Sequence, residues 1–425
     1  MTSPNPLIPH LSTALAHLIA HPFPTISSPS STPKRASVAL IIRIVPSYHH
    51  PSPPSSPPSD LASFFSLPWV QHGNPEVLFI KRAARKGDRW TSHIALPGGK
   101  RDPEDADDLA AAIRETSEEV GLDVSGDNPW VLRAGNLPQR LITTSWGKKA
   151  LMVLCPYVFV VTGREERVKM QPTEVASCHW VPIGALLNGE NRTVKEEDVS
   201  RRFVNQETGV RRWIVGMSVG RMLFSAVRLW PGESVNCWES PAMDEQEEAG
   251  RRWKQIRSIL PGETKYEAEP PLLLWGLTLG VMADFLDLLP PHDALKLWSY
   301  PTFTSWDVRL VIWAMSWRFK RRKMQEVQRI QDRKLPAVEV GLDAVGSPSE
   351  QTIREGGIHG LSTGVDASHE RTAMKSSAVS TMLEGYYDIV RRAVAISLLG
   401  RTSVFVALAA WLVARYRRRQ KLDLR

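Results

Sequence analysis

Three carboxylates stand close together in one short stretch of this 425-residue chain, at Glu115, Glu118 and Glu119. Spacings of three and four residues bring side chains together on one face of a helix. Adjacent acids repel one another, so the cluster is costly unless a cation neutralises it. Oxygen ligands of this kind favour Mg²⁺ or Mn²⁺ over zinc. The alternative interpretation is a solvated acidic face on an amphipathic helix.

The stretch 96–124 supplies the elements that would position these acids. The Pro-Gly-Gly run at 97–99 predicts a sharp corner, where backbone carbonyls can approach a ligand. The run 102–105 (DPED) predicts a helix start, because polar caps, proline and acids are favoured in a first turn. Gly121 predicts the helix stop. The apolar side of this helix is predicted to consist of Leu109, Ile113, Thr116 and Val120.

The same stretch resembles the Nudix box, usually written Gx₅ExxxxxxxREUxEExGU, with U aliphatic. The matching residues are Gly99, Arg114, Glu115, Glu118, Glu119, Gly121 and Leu122. The gap between Gly99 and Arg114 is one residue longer than usual. Asp105 stands where a Glu is expected, and Thr116 replaces the aliphatic residue. The longer gap and the RET triplet are typical of the branch related to coenzyme A diphosphatases, and a motif this long is far more specific than a lone glycine motif.

The resemblance implies a fold and a reaction. The fold is of the α/β class, a Nudix-type α/β/α sandwich with a mixed sheet, accompanied by disordered segments and a helical C-terminal extension. The reaction is metal-assisted hydrolysis of a diphosphate bond in a nucleoside diphosphate linked to another group. A protein that kept this fold for binding or scaffolding, without turnover, is the alternative.

The resemblance also implies roles for individual residues. The Mg²⁺ or Mn²⁺ ligands would be Gly98, through its backbone carbonyl, and Glu115, Glu118 and Glu119. Arg114 would orient Glu115 through an ion pair. The general base would be Glu115 itself or a carboxylate from a later loop, for which Glu174 is well placed before a predicted strand at 174–182.

The substrate is less well defined than the reaction. The coenzyme A branch carries an upstream signature with an Arg and a Gly at set distances before FPGG. In this chain Asp88 and Ser92 fall at those positions, and Leu96 replaces the Phe. A coenzyme A-like substrate is favoured, while ADP-ribose and dinucleotide polyphosphates are alternatives.

Basic residues cluster just upstream of the acidic helix, at Lys81, Arg82, Arg85 and Arg89. Their cationic groups pair well with phosphate oxygens, so they are candidate substrate contacts; a solvated surface is the alternative. The net charge of the chain is only +8 and no RNA-binding signature accompanies it, so a nucleic-acid partner is not expected. The expected partner is a nucleotide-derived small molecule.

The chain divides into five segments by composition. Residues 1–35 predict a mostly disordered leader, with a short helix at Leu11–Ile19 as an alternative for that stretch, and 36–295 the Nudix domain, with insertions at 46–75 and 188–268. A basic, tryptophan-containing helix is predicted at 305–334, and a flexible linker at 335–385. The basic helix would pack its aromatic edge on the domain or lie at a membrane interface. Residues 386–425 predict a C-terminal helix.

The C-terminal helix is a candidate membrane anchor, since 393–414 is apolar apart from Arg401 and a few hydroxyls. Its length approaches the roughly 20 residues that a spanning helix needs. A docking or oligomerising helix is the alternative. The three cysteines, Cys155, Cys178 and Cys237, suit a reducing compartment. We therefore expect an intracellular protein, tail-anchored to a mitochondrial or peroxisomal membrane or else cytoplasmic.

Overall fold

The computed structural model describes residues 3–30, 33–50, 56–84, 92–143, 150–163, 168–197, 220–236, 271–292, 299–334 and 385–423. The helices in these ranges are α1 (Leu7–Ala20), α2 (Leu61–Phe65), α3 (Pro68–Gln71), α4 (Asp108–Val120), α5 (Ile183–Leu187), α6 (Gly276–Leu286), α7 (Trp306–Lys334) and α8 (Tyr386–Asp423). The strands are β1 (Arg35–Val45), β2 (Asn74–Arg82), β3 (Ile94–Ala95), β4 (Gly98–Lys100), β5 (Val131–Asn136), β6 (Arg140–Thr143), β7 (Ala150–Val161), β8 (Val175–Pro182), β9 (Arg192–Glu197), β10 (Met222–Arg228), β11 (Glu233–Asn236), β12 (Leu273–Trp275) and β13 (Thr302–Phe303).

Strand β1 lies at the centre of the main sheet. Within the described residues this sheet has nine strands, in the order β11-β8-β2-β1-β7-β5, and β3, β4 and β6 pair with β2, β1 and β7 respectively. Strand β1 runs parallel to β7 and antiparallel to β2, so the sheet is mixed, as predicted. Its β-branched, apolar run is buried on both faces. The buried Arg43 forms an ion pair of 2.7 Å with Glu76 on β2.

Helices cover both faces of this sheet. On one face, α1, α2, α3 and α6 pack residues such as Leu15, Phe64 and Phe285 against the sheet. On the other face, α4 packs Val120 into a cluster with Ile41 and other β residues. The layers are therefore helix, sheet and helix, which confirms the predicted α/β/α sandwich.

The predicted disordered leader 1–35 contains an ordered helix. Helix α1 occupies Leu7–Ala20, and Arg35 is the first residue of β1. The side chains of Leu11, Leu15 and Leu18 are fully buried. Their spacing of four and three residues forms an apolar stripe, and burial of that stripe outweighs the proline- and serine-rich composition around it.

The predicted insertions also contribute to the core. Within 46–75, helices α2 and α3 bury Phe64, Phe65 and Trp69 under the sheet, and Asp60 caps α2. Within 188–268, strands β9 and β10 pair in a smaller sheet with β12 and β13, while β11 extends the main sheet. The segments 51–55, 198–219 and 237–270 lie outside the described residues.

Helices α7 and α8 pack against each other at the smaller sheet. Phe303, Ile312 and Tyr386 share one buried cluster with neighbouring apolar residues. Tyr386, at the start of α8, packs beside Phe319 of α7, whereas Arg401 pairs with Asp307 at 2.5 Å, so the two helices run antiparallel. Residues 386–401 of the predicted anchor thus belong partly to the folded body, whereas 402–417 are exposed. The predicted linker 335–385 lies outside the described residues, apart from Gly385.

Candidate active site

Helix α4 begins at Asp108, after the run 102–105 that was predicted to start it. Asp107 is the N-cap, and its side chain accepts a hydrogen bond of 2.7 Å from the backbone N–H of Ala110. The run 102–105 forms a turn instead, in which Asp105 accepts from the N–H of Asp102. The predicted stop is confirmed, since Gly121 ends the helix with a φ of +69°.

The glycine corner lies directly against the acids of α4. Gly98 has a φ of +144°, and its N–H donates to Oε2 of Glu119 at 2.8 Å. A Cβ on Gly98 would meet the carbonyl oxygen of Ser37 at 2.2 Å, so only glycine fits. A Cβ on Gly99 would lie 2.4 Å from the carboxylate of Glu115. The two glycines therefore make room for two carboxylates at the edge of β4.

Three carboxylates meet at this corner. One oxygen each from Glu115, Glu119 and Glu174 lies within 4.8 Å of the others. We call these residues the acidic cluster. Glu119 is buried, and Glu115 and Glu174 are partly buried. Two of the cluster's members were predicted metal ligands, and the third was the predicted alternative for the general base.

Glu118 is not part of the acidic cluster. Its Oε2 accepts a hydrogen bond of 3.0 Å from Nη1 of Arg114, and about half of the side chain is exposed. The spacing placed Glu118 and Glu119 together, but adjacent helical residues differ in direction by about 100°. Glu119 turns toward the sheet, and Glu118 turns toward solvent. The prediction that Glu118 binds metal remains a prediction.

Loop contacts bring Glu174 to the end of α4. The N–H groups of Lys169 and Gln171 donate to the carbonyls of Val120 and Glu119, at 2.9 and 3.0 Å. These contacts satisfy carbonyls that a helix end leaves without partners. The carbonyl of Glu174 accepts a hydrogen bond of 2.8 Å from the N–H of Ala83, the residue after β2. This bond fixes the loop between the helix and the sheet.

Arg114 connects Asp105, Lys100 and Glu115. Its Nε and Nη2 bind both carboxylate oxygens of Asp105, at 2.9 and 3.0 Å, and Nη2 also reaches the carbonyl of Lys100. Nη2 lies 3.2 Å from Oε1 of Glu115. The orienting role of Arg114 remains a prediction. Asp105 lies where the family motif has Glu, and its part in anchoring Arg114 could not be seen from spacing.

Burial makes the acidic cluster electrostatically unfavourable as it stands. Burial, aided by the charges of Glu115 and Glu174, raises the pKa of Glu119 to about 8, although the N–H of Gly98 opposes the shift. The pKa of Glu115 is also raised, chiefly by burial. A divalent cation supplies the charge that would favour all three ionised carboxylates, and their hard oxygens suit Mg²⁺ or Mn²⁺. The donor set therefore fits a metal ion.

The predicted phosphate contacts separate into three groups. Arg82 is close enough for its charge to oppose the effect of burial on the pKa of Glu119. Lys81 is paired with Ser177, on the face of the sheet opposite α4, because side chains alternate along a strand. The structure therefore does not bring Lys81 to the acidic cluster. Arg85 and Arg89 lie outside the described residues.

Comparison with known proteins identifies the family. The NUDIX domain matches residues 65–212. An uncharacterized protein of Schizosaccharomyces pombe is 30% identical over 307 residues, which cover 71% of this chain and 80% of that protein. The mouse peroxisomal coenzyme A diphosphatase is 29% identical over 170 residues, or 36% of this chain and 63% of the relative.

A human mitochondrial coenzyme A diphosphatase is 41% identical over 69 residues, or 16% of this chain and 29% of that relative. The matched part thus spans under two thirds of each of the two coenzyme A diphosphatases. Together with the glycine corner and the acids of α4, these matches confirm the resemblance read from the sequence. The chain belongs to the Nudix hydrolase family.

Proposed function

We propose that this protein is a Mg²⁺- or Mn²⁺-dependent diphosphatase acting on a nucleoside diphosphate linked to another group, with a coenzyme A-like substrate favoured. The observation that carries the proposal is the acidic cluster. Three partly or fully buried carboxylates meet at a glycine corner, at a cost that a divalent cation removes. A binding protein without turnover has no need of so costly an arrangement.

Glu115 and Glu119 would hold the metal, together with the backbone carbonyl of Gly98, and Glu174 would stand beside it. A bound divalent ion polarises a phosphorus centre and lowers the pKa of a water molecule. Glu118 would join the metal set by leaving Arg114, since its side chain is half exposed.

The remaining roles belong to side chains around the cluster. Arg114 orients Glu115, and Arg82 is the described cation best placed to meet a substrate phosphate. Glu115 and Glu174 are the candidate bases for removing the proton of the attacking water. We assign that role to Glu174, because Glu115 is already bound by Arg114. Exchange of Glu174 for Gln tests this assignment, because loss of the general base should lower kcat by roughly 10²–10⁴-fold.

The coenzyme A-like substrate is supported by the names of two relatives and by the backbone at Ser92. Ser92 stands where the coenzyme A branch has a Gly, and its φ is +59°, in the left-handed region that favours glycine. The chain thus keeps the backbone of that signature without its residue. Asp88, at the position of the signature Arg, lies outside the described residues.

A substrate panel tests the proposed reaction. The purified full-length protein with Mg²⁺ or Mn²⁺ is offered coenzyme A, ADP-ribose and a dinucleotide polyphosphate, and the released phosphates are identified. We expect coenzyme A to give the highest kcat/KM and to be cut at its diphosphate. A higher kcat/KM for ADP-ribose or the dinucleotide polyphosphate would assign that compound as the substrate instead. Failure to cut any diphosphate would favour a binding role.

We also propose membrane association through 393–414, on an organelle membrane. One described helix, Tyr386–Arg417, is long and apolar enough to cross a membrane by length and composition. The two named relatives are a peroxisomal and a mitochondrial protein. Cell fractionation and imaging of the full-length protein test this proposal, and a wholly soluble protein would end it.

A further inference from the structure

Helix α7 carries an exposed apolar stripe that the catalytic site does not use. Its large exposed hydrophobic residues are Trp306 (75% exposed), Leu310 (56%), Trp313 (62%), Trp317 (53%) and Met324 (48%). At about 100° per residue, all five fall within an arc of about 60°. The opposite side of α7 packs Val308 and Ile312 against α8 and the smaller sheet. The tryptophan stripe, as we call these five residues, therefore faces away from the body.

Cations border the tryptophan stripe. Arg309 and Arg321 are exposed on its two sides, and the guanidinium of Arg321 lies 5.8 Å from the ring centre of Trp317. Between 308 and 325 the sequence contains no acidic residue. Tryptophan flanked by arginine and lysine suits the headgroup level of a bilayer. A second copy of α7 is a poor occupant, because it would bring like charges together.

The stripe begins where the exposed end of α8 leaves the body. Arg401, the charged residue within the apolar run 393–414, donates two hydrogen bonds to Asp307, at 2.6 and 2.5 Å. Its charge is therefore paired. Trp306 is the neighbour of Asp307. Beyond this pair, 402–414 is exposed on all sides. These residues extend about 20 Å, less than the roughly 30 Å of a bilayer core. The exposed end therefore lies along the membrane surface rather than across the core, and α7 meets the same surface because it packs alongside α8.

From this geometry we infer that the tryptophan stripe of α7 is a second membrane contact, which lies in the headgroup layer of a bilayer containing anionic lipids. The inference rests on the proposed membrane association of α8 and specifies how the body meets the membrane. The apolar end of α8, lying along the same surface, holds the protein there, and α7 fixes the orientation of the body.

Flotation of the full-length protein with vesicles tests the inference. The vesicles contain phosphatidylcholine alone or with about one third phosphatidylserine. The test variant combines Trp306→Ala, Trp313→Ala and Trp317→Ala. Trp230→Ala is the matched control, because Trp230 is an exposed tryptophan of the body, at 57%. A second variant, Phe405→Glu with Leu412→Glu, tests the end of α8.

We expect the triple variant to lower the partition coefficient on phosphatidylserine vesicles by about tenfold or more. The control should bind as the wild type does, and all variants should keep the wild-type circular dichroism. Equal binding by the triple variant and the wild type would overturn the inference. A triple variant that changes only the self-association of the protein would also overturn it, in favour of a second copy as the occupant.

The α8 variant separates this inference from the proposal on which it rests. Loss of flotation in the α8 variant, with full binding by the triple variant, leaves membrane association standing and removes only the role of α7. A wild-type protein that does not float with either vesicle contradicts both.

Discussion

The backbone N–H of Gly98 donates a hydrogen bond of 2.8 Å to the buried carboxylate of Glu119. This contact joins the glycine corner to the acidic helix. It also explains why the corner needs glycine, since at Gly98 the chain must approach both α4 and the carbonyl of Ser37. The geometry of the acidic cluster is therefore set by the backbone as much as by the acids.

The two glycines of the corner should respond differently to alanine. Gly98→Ala places a methyl group against backbone at an unfavourable φ, so we expect a destabilisation of more than about 1 kcal/mol. Gly99→Ala meets only the end of the Glu115 side chain, so we expect a normal melting temperature with turnover largely lost. Thermal unfolding and an activity assay on both variants test this contrast, and equal losses of stability would contradict it.

The stability of the metal-free protein should fall as the pH rises. Burial, with Glu115 and Glu174, raises the pKa of Glu119 from 4.5 to about 8 in the folded state. Between these values the folded protein binds more protons than the unfolded chain, so the free energy of unfolding decreases with pH. The stabilisation is complete below pH 4.5 and lost above about 8. Glu115 contributes with the same sign.

Melting temperatures measured in chelator across this pH window test the prediction. Glu119→Gln should flatten most of the dependence, because the amide does not titrate. Added Mn²⁺ should restore stability at the alkaline end, since ionised carboxylates bind it best. Parallel pH curves for the wild type and Glu119→Gln would show that another group is responsible.

Ser92→Gly should stabilise the protein. Ser92 has a φ of +59°, at which a side chain costs about 1 kcal/mol or more. Glycine removes that cost but loses part of the gain through the greater freedom of the unfolded chain. We therefore expect a net gain of up to about 1 kcal/mol in chemical denaturation. Ser92→Ala should show no such gain, and equal stabilisation by both variants would contradict the backbone argument.

Much of the site was predictable from local sequence. The stop at Gly121 and the acids of α4 follow from spacing and glycine chemistry. The helix start was misplaced, because the run 102–105 has the composition of a cap. Its Asp105 instead binds Arg114, nine residues away, while Asp107 caps the helix. Two competing acids close together cannot be ranked as caps without tertiary contacts.

Other features depend on contacts that no local pattern encodes. The presence of Glu174 in the acidic cluster requires the loop bonds to the end of α4. Lys81 and Arg82 are neighbours in sequence, yet the pleat of β2 places them on opposite faces of the sheet. The leader 1–35 has the composition of a disordered segment, but α1 still folds because the core accepts its leucine stripe.

Metal binding by Glu119→Gln tests the central claim most directly. Mn²⁺ affinity of the full-length protein is measured by titration calorimetry near neutral pH, with Glu118→Gln as the matched control on the adjacent residue. We expect Glu119→Gln to weaken binding by more than about 100-fold, and Glu118→Gln to weaken it by less than about tenfold. Wild-type Mn²⁺ affinity in Glu119→Gln would contradict the assignment of the acidic cluster as the metal site.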